Sequence, residues 1–116
     1  AVTTPAAPET TVEQVPAEHK AALRSAKNYL SFMPFCKARL FDQLTSEYGD
    51  KFPADAAQYA VDNVEADWNQ QALKLAINYR QTMGMSDSGI WDQLTSPYGE
   101  QCLPEQADFA IANLPT

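Results

Sequence analysis

Apolar side chains recur every three or four residues in three successive stretches of the first half of the chain. Such spacing places the apolar side chains of each stretch on one face of an α-helix. These positions are Ala22, Leu23, Ala26, Tyr29, Leu30 and Met33 in the first stretch, Leu40, Phe41 and Leu44 in the second, and Ala56, Ala57, Ala60, Val61 and Val64 in the third. The pattern predicts three short amphipathic helices, and no strand pattern competes with it.

The second half of the chain repeats the first with an offset of 50 positions, since DQLTSEYG at Asp42–Gly49 returns as DQLTSPYG at Asp92–Gly99. Without any gap, about a third of the positions from Lys20 to Ala66 are identical in the second copy. Apolar positions are kept while polar ones differ, which indicates two copies of one packing unit. We therefore predict an all-α fold: a tandem repeat of two three-helix, helix-turn-helix-like bundles, with about six helices in all.

These features divide the chain into three segments. Residues 1–15 are rich in Thr, Pro and Ala and hold no aromatic residue, which predicts a flexible tether, either a surface stalk or an ordinary disordered tail. Residues 16–66 form the first repeat and residues 67–116 the second. Because a unit of about 45 residues buries little apolar area, we expect the two repeats to fold together along a seam near Trp68.

Several residues have the properties of helix ends or of seam residues. Asp67 can cap the helix that opens the second repeat. Gly49 can end the second helix in the left-handed conformation, and Gly99 can do the same in the second copy. We interpret Trp68 and Trp91 as core or seam residues rather than as platforms for a stacked ligand.

The two cysteines stand at positions that are not equivalent in the two repeats. Cys36 takes the place of Ser86, whose hydroxyl can cap a helix, and Cys102 takes the place of the apolar Phe52. Because cysteine caps a helix poorly, the thiol at position 36 must serve another purpose. A disulfide between Cys36 and Cys102 would stabilise the fold by roughly 4 kcal/mol and would imply an oxidising compartment outside the cytoplasm. Two free buried thiols are the alternative.

The sequence shows no set of residues for catalysis, for a cofactor or for a metal ion. Its one histidine, His19, stands beside the tether, so a Ser/His/Asp or Cys/His set would lack a base. Two cysteines and one distant histidine do not make a zinc site. We therefore predict that the protein is not an enzyme and uses no cofactor. No apolar run reaches the roughly 18 residues that a membrane-spanning helix needs.

Charge argues against nucleic acid as a partner. The formal net charge is −7, and residues 70–116 have only Lys74 and Arg80 against five acidic residues. A helix that reads DNA needs Lys and Arg to meet the phosphates, and the last predicted helix, PEQADFAIANL, has neither. We expect no binding of nucleic acid.

Three segments resemble the Ltp family of host cell surface-exposed lipoproteins, whose tandem repeats are small helix-turn-helix-like bundles. The segments are ALRSAKNYLSFMPF, LFDQLTSEYGDKF and DAAQYAVDNVEADWNQQALKLAINY. The resemblance covers about residues 20–116. It implies a lipid-anchored protein on the extracellular face of the bacterial cell membrane, which meets the membrane only through an anchor outside this chain.

The resemblance also implies a function. Members of the family are often carried by prophages and confer superinfection exclusion: they block the injection of phage DNA by binding the tape-measure protein of the phage tail. A host envelope adhesion or scaffolding module without a phage role is the alternative. The family supplies no catalytic residues, and we expect a monomer.

An acidic module of this kind could capture a basic or amphipathic segment of its partner. The candidate contact residues are five acids of the second repeat, Asp87, Asp92, Glu100, Glu105 and Asp108. The alternative is that these side chains only keep the domain soluble.

Overall fold

A computed structural model describes residues 15–115 of the chain. Within this range the chain forms six α-helices and no strand: α1 (Ala17–Phe32), α2 (Lys37–Thr45), α3 (Ala54–Asn63), α4 (Trp68–Met83), α5 (Asp87–Thr95) and α6 (Pro104–Ala112). The first three helices and the last three form two bundles of one design, which confirms the predicted all-α tandem repeat. Of the tether predicted for residues 1–15, all but Val15 lies outside the described residues.

The starts of α4 and α5 carry the caps that the sequence predicts. The Asp67 carboxylate accepts hydrogen bonds from two backbone N–H groups in the first turn of α4. The Ser86 hydroxyl accepts one from the Gly89 N–H in the first turn of α5. Cys36 makes no such bond at the equivalent start of α2. Cys36 therefore does not cap its helix as Ser86 does.

Alanine lines the contact between the first and the last helix of each repeat, where α1 packs against α3 and α4 against α6. The fully buried alanines are Ala22 and Ala26 in α1, Ala57 and Ala60 in α3, and their counterparts Ala72, Ala76, Ala107 and Ala110 in α4 and α6. A methyl group adds little width, so the two helices of each pair can approach closely. This explains why these small residues are identical in the two copies.

The two repeats have separate hydrophobic cores, and two residues cross between them. Leu40 and Leu44 of α2 are fully buried in the first core, and their counterparts in α5 are fully buried in the second. Cys36 packs with the second core although it stands at the start of α2. Trp68 packs against the first core from the start of α4. The seam therefore lies beside Trp68, where the sequence predicted it.

The prediction that Gly49 and Gly99 adopt the left-handed conformation is wrong. The left-handed residues of the two turns are Lys51 and Gln101, with φ of 58° and 59°. The glycines are needed for close approach instead, because a Cβ on Gly99 would lie 2.5 Å from the backbone oxygen of Gln93. The chain folds back against the helix that it has just left, and only a residue without a side chain fits there.

Met33 also departs from the prediction that it faces the core. It is 53% exposed, because α1 ends at Phe32 and Met33 has an extended backbone. Helical spacing continues to place apolar residues on one face after the helix has stopped, and so it cannot locate the end of a helix.

We expect the substitution Gly99→Ala to lower the free energy of unfolding by about 2 kcal/mol, because backbone atoms must move to admit the added methyl group. Gly49→Ala is the matched control and should cost less, since the nearest atom there is the end of the flexible Gln43 side chain. Urea unfolding followed by circular dichroism measures both losses. Equal losses at the two positions would contradict this account of the turns.

Candidate functional site

A disulfide bond joins the two repeats. It links Cys36, at the start of α2, to Cys102, in the loop before α6, across a sequence separation of 66 residues and with 5.1 Å between the Cα atoms. Both cysteines are buried, and neither is free. The bond holds the start of α2 against the second repeat.

A buried hydrogen bond crosses the seam one residue away. The Phe35 N–H donates to Oε1 of Gln71 in α4 at 3.1 Å. Gln71 is the one polar residue among the buried side chains of residues 15–115. The first repeat has Ala21 at the equivalent position, so this bond has no counterpart inside the molecule. It gives a buried backbone N–H the partner that burial requires.

Arg39 reaches across the seam from α2. Its Nη1 donates to the backbone oxygen of Gly99 at 2.9 Å and lies 3.5 Å from the Glu100 carboxylate. The other oxygen of Glu100 accepts a hydrogen bond from the Tyr79 hydroxyl of α4. Burial, and then the neighbouring Glu100 carboxylate, raise the pKa of Tyr79 to about 12. These contacts join α2 to the turn that contains Gly99 and Glu100, and they join the same turn to α4.

A groove of about 340 Å³ lies along the seam, and we call it the inter-repeat groove. Helices α2 and α3 supply one wall, which includes Lys37, Ala38, Phe41, Gln58 and Val61. The second repeat supplies the other wall with residues of the loop before α6 and of α6 itself. The groove therefore exists only because the second repeat is fixed beside the first.

Most polar side chains at the rim of the inter-repeat groove form ion pairs or hydrogen bonds with other side chains there. The Lys37 ammonium lies 2.8 Å from the Asp62 carboxylate, and this ammonium does most to lower the pKa of Asp62. Gln101 donates a hydrogen bond to Asp42 across the seam at 2.6 Å. Leu103, in contrast, is 56% exposed on the wall of the groove. What the groove leaves for a ligand is mainly apolar surface.

The second repeat carries the counterpart of this wall, and we call it the α5/α6 depression. Its residues Asp87, Ser88, Trp91, Asp108 and Ile111 stand 50 positions after five of the six residues of α2 and α3 that line the inter-repeat groove. Its volume is also about 340 Å³. In the described part of the chain no further repeat stands beside it, so it has one wall where the inter-repeat groove has two.

Two of the five predicted contact acids line the α5/α6 depression. Asp87 is paired with Arg80 of α4, and Asp108 accepts a hydrogen bond from Nε1 of Trp91 at 2.8 Å. Both acids are exposed. Trp91 is half-buried against the second core and also forms part of the depression.

The other three acids do not line the depression itself. Asp92 is exposed on α5, and Glu105 is exposed in the first turn of α6. Glu100 belongs to the junction between the repeats, where its side chain is only 15% exposed. The structure therefore does not gather the five acids into one cluster, and it gives Glu100 a task inside the molecule.

Sequence analysis did not identify the roles of Arg39 and Gln71. The side chains of these two residues join the repeats in addition to the disulfide. A signal for both was present in the repeat. Gly89 stands where Arg39 would recur, and Ala21 stands where Gln71 would occur in the first copy. A polar residue that has no polar counterpart in the other copy marks a contact that only one repeat makes.

Residues 15–115 contain neither a cluster of metal-binding side chains nor a membrane-spanning helix. No three of the His, Cys, Asp and Glu side chains there come close enough to hold a metal ion. None of the six helices is both long enough and apolar enough to cross a membrane.

Comparison with known proteins identifies the repeat. The model of one protein family, described as host cell surface-exposed lipoprotein, matches the chain twice, at residues 17–64 and 67–114. The chain belongs to this family, the Ltp lipoproteins. Membership confirms the family that the sequence resembles and places the protein at the cell surface as a lipoprotein. No curated protein sequence matches the chain significantly.

One solved structure is similar over most of the chain. It is that of Ltp, a superinfection exclusion protein from the Streptococcus thermophilus temperate phage TP-J34. The two chains are 42% identical, and the match covers 88% of this chain and 100% of that one, with a TM-score of 0.79. The two Ltp-family chains therefore share the arrangement of both repeats as well as the fold of each.

We expect reduction of the disulfide to lower the free energy of unfolding by about 4 kcal/mol, because the bond shortens the unfolded chain across 66 residues. Urea unfolding with and without dithiothreitol measures the loss. The double variant Cys36→Ser/Cys102→Ser is the control and should not respond to the reductant. A loss below about 1 kcal/mol would mean that the polar contacts alone fix the seam.

The Tyr79 hydroxyl makes the stability depend on pH. Since its pKa is raised to about 12 from the ordinary 10.0, its contribution is fully present below pH 10 and is lost as the pH rises from 10 through about 12. We expect urea unfolding to show a steeper loss of stability over this range in the wild type than in Tyr79→Phe. Tyr98→Phe, which changes a 98% exposed residue, should behave as the wild type. Equal slopes for all three proteins would refute the role given to Tyr79.

Proposed function

We propose that this lipoprotein confers superinfection exclusion: it prevents an incoming phage from injecting its DNA into a cell that displays the protein. The observation that carries the proposal is the 42% identity to a superinfection exclusion protein over the full length of that chain. The match covers 88% of this chain and 100% of that one, so the likeness extends through both repeats and is not confined to one shared motif.

The mechanism we propose is the capture of a protein. The lipoprotein binds the tape-measure protein of the phage tail as it emerges at the membrane, and the bound segment no longer helps DNA to pass. Two properties of the molecule support capture by a preformed surface. The disulfide and the contacts of Arg39 hold the two repeats in one orientation, so little conformational entropy is lost on binding. The net charge of −7 attracts a basic segment and speeds the encounter.

We expect a susceptible strain that displays this chain on its cell membrane to adsorb phage normally but to take up little phage DNA. Adsorption is counted from free phage that remain in the medium, and DNA entry is followed by potassium efflux or by DNA labelled in the capsid. The matched control displays the same lipid anchor without residues 16–115. Normal DNA entry across a panel of phages would contradict exclusion and would favour a host adhesion or scaffolding module.

The partner is tested separately. We expect the purified chain to retain the tape-measure protein of an excluded phage and not that of a phage that escapes exclusion. Escape mutants of an excluded phage should carry changes in the tape-measure gene. Escape mutations confined to receptor-binding proteins would leave exclusion in place but would refute this partner.

A further inference from the structure

The molecule contains two copies of one helix face, and within residues 15–115 only one of them is covered. In the first repeat the face formed by α2 and α3 meets the second repeat and becomes the inter-repeat groove. In the second repeat the equivalent face is the α5/α6 depression, which meets nothing in the described chain. The first face shows what kind of contact this surface makes: a loop and the start of a helix lie beside it, joined to it by hydrogen bonds and an ion pair.

The open face is more apolar and more acidic than the covered one. Trp91 replaces Phe41, and Ile111 replaces Val61. Val61 is 2% exposed, whereas Ile111 is only half-buried. An apolar patch that is not covered and that offers a half-buried Trp is the kind of surface that anchors a protein partner.

The open α5/α6 face also carries more negative charge than the covered α2/α3 face. Where the α2/α3 face has Lys37, Asp42 and Gln58, the α5/α6 face has aspartate at all three positions. These are Asp87, Asp92 and Asp108. Of these three, Asp87 is offset by Arg80, while no ion pair is formed by Asp92 or by Asp108 within residues 15–115. The face therefore favours a partner that brings positive charge to it.

A second copy of this chain does not fit the face. If a copy docked its first repeat as the second repeat docks within the molecule, the bonded pair Cys36 and Cys102 would become Ser86 and Phe52. The contacts of Arg39 would be lost, because its equivalent is Gly89. Of the contacts that join the repeats, only that of Asp42 with Gln101 could be imitated, by Asp92 with Lys51.

The amino-terminal residues of this chain do not fit the charge of the face either. Residues 1–14 contain Glu9 and Glu13 and no lysine or arginine. An acidic segment would be repelled by Asp92 and Asp108. Charge therefore favours a basic segment of another protein as the occupant.

We propose that the α5/α6 depression is the docking site for a segment of the partner protein that presents a large apolar side chain beside a basic residue. The apolar side chain lies against Trp91 and Ile111, and the basic residue meets Asp92 or Asp108. The segment takes the place that a third repeat would have beside the second. The inference deepens the proposed function, because it rests on a protein partner and names the surface and the chemistry of its bound segment.

The test uses the full chain and a synthetic helical peptide of leucine and lysine in which the leucines share one face. We expect the peptide to bind and to shift the indole N–H signal of Trp91 in ¹H–¹⁵N spectra, since this N–H is bonded to Asp108 at the edge of the depression. The indole signal of Trp68, which packs against the first core at the seam, is the internal control and should not move. Peptides with glutamate for lysine, or serine for leucine, should not bind.

Matched variants locate the site. Ser88→Trp fills the α5/α6 depression from an exposed position and should weaken the binding of the leucine–lysine peptide ~10-fold. Ala38→Trp makes the same change at the equivalent position of the inter-repeat groove and should leave the affinity unchanged. Asp92→Asn/Asp108→Asn should weaken binding and reduce its dependence on salt, while Glu47→Gln/Glu65→Gln, which removes two exposed acids elsewhere, should not. Circular dichroism checks that each variant is folded.

Three outcomes would overturn the proposal. In the first, Ala38→Trp blocks the peptide and Ser88→Trp does not, which would assign docking to the inter-repeat groove. In the second, the serine-for-leucine peptide binds as well as the original, which would reduce the interaction to charge alone. In the third, the chain associates with itself in sedimentation and Ser88→Trp abolishes this, which would make a second copy the occupant. These measurements involve no phage, so they can fail while exclusion stands, or succeed while exclusion fails.

Discussion

The attachment of the second repeat to the start of α2 is the constraint on which the rest of the molecule depends. Each repeat packs its own helices around its own core, and a core of this size stabilises a fold only marginally. The disulfide adds stability that two small cores lack, and it does so at the seam, where it also sets the orientation of one repeat to the other. One covalent bond still allows the two repeats to rotate relative to each other. The hydrogen bond to Gln71 and the contacts of Arg39 restrict this rotation.

The differences between the two copies carry more information about function than their identities. Identical positions, such as the buried alanines, keep the two bundles alike because the helices of each must approach closely. Equivalent positions that carry different kinds of residue in the two copies mark contacts that only one copy makes. Cys36 and Arg39 hold the seam, whereas at the equivalent positions of the second copy Ser86 caps α5 and Gly89 has no side chain.

The same reasoning connects the fold to its proposed work at the cell surface. A duplicated bundle has two equivalent faces, and joining the copies in tandem uses up one of them. Among residues 15–115 nothing covers the other face, which in this Ltp-family chain carries aspartates and a half-buried Trp91. A lipoprotein that works by capture needs a rigid body and one uncovered surface, and the tandem arrangement supplies both.

The sequence by itself determined the helices, their division into two repeats and the apolar face of each helix, because these depend on local periodicity and on the comparison of one half with the other. It also singled out the two cysteines, since each departs from its counterpart. Only the tertiary structure decided that Gly99 is needed for close approach, that Glu100 is bound at the junction and that Arg39 and Gln71 cross the seam. It alone distinguished the covered face from the open one. The physical reason is that periodicity records which way a side chain points from its own helix, whereas a contact between repeats depends on how two separate bodies are placed, and a few long-range bonds fix that placement.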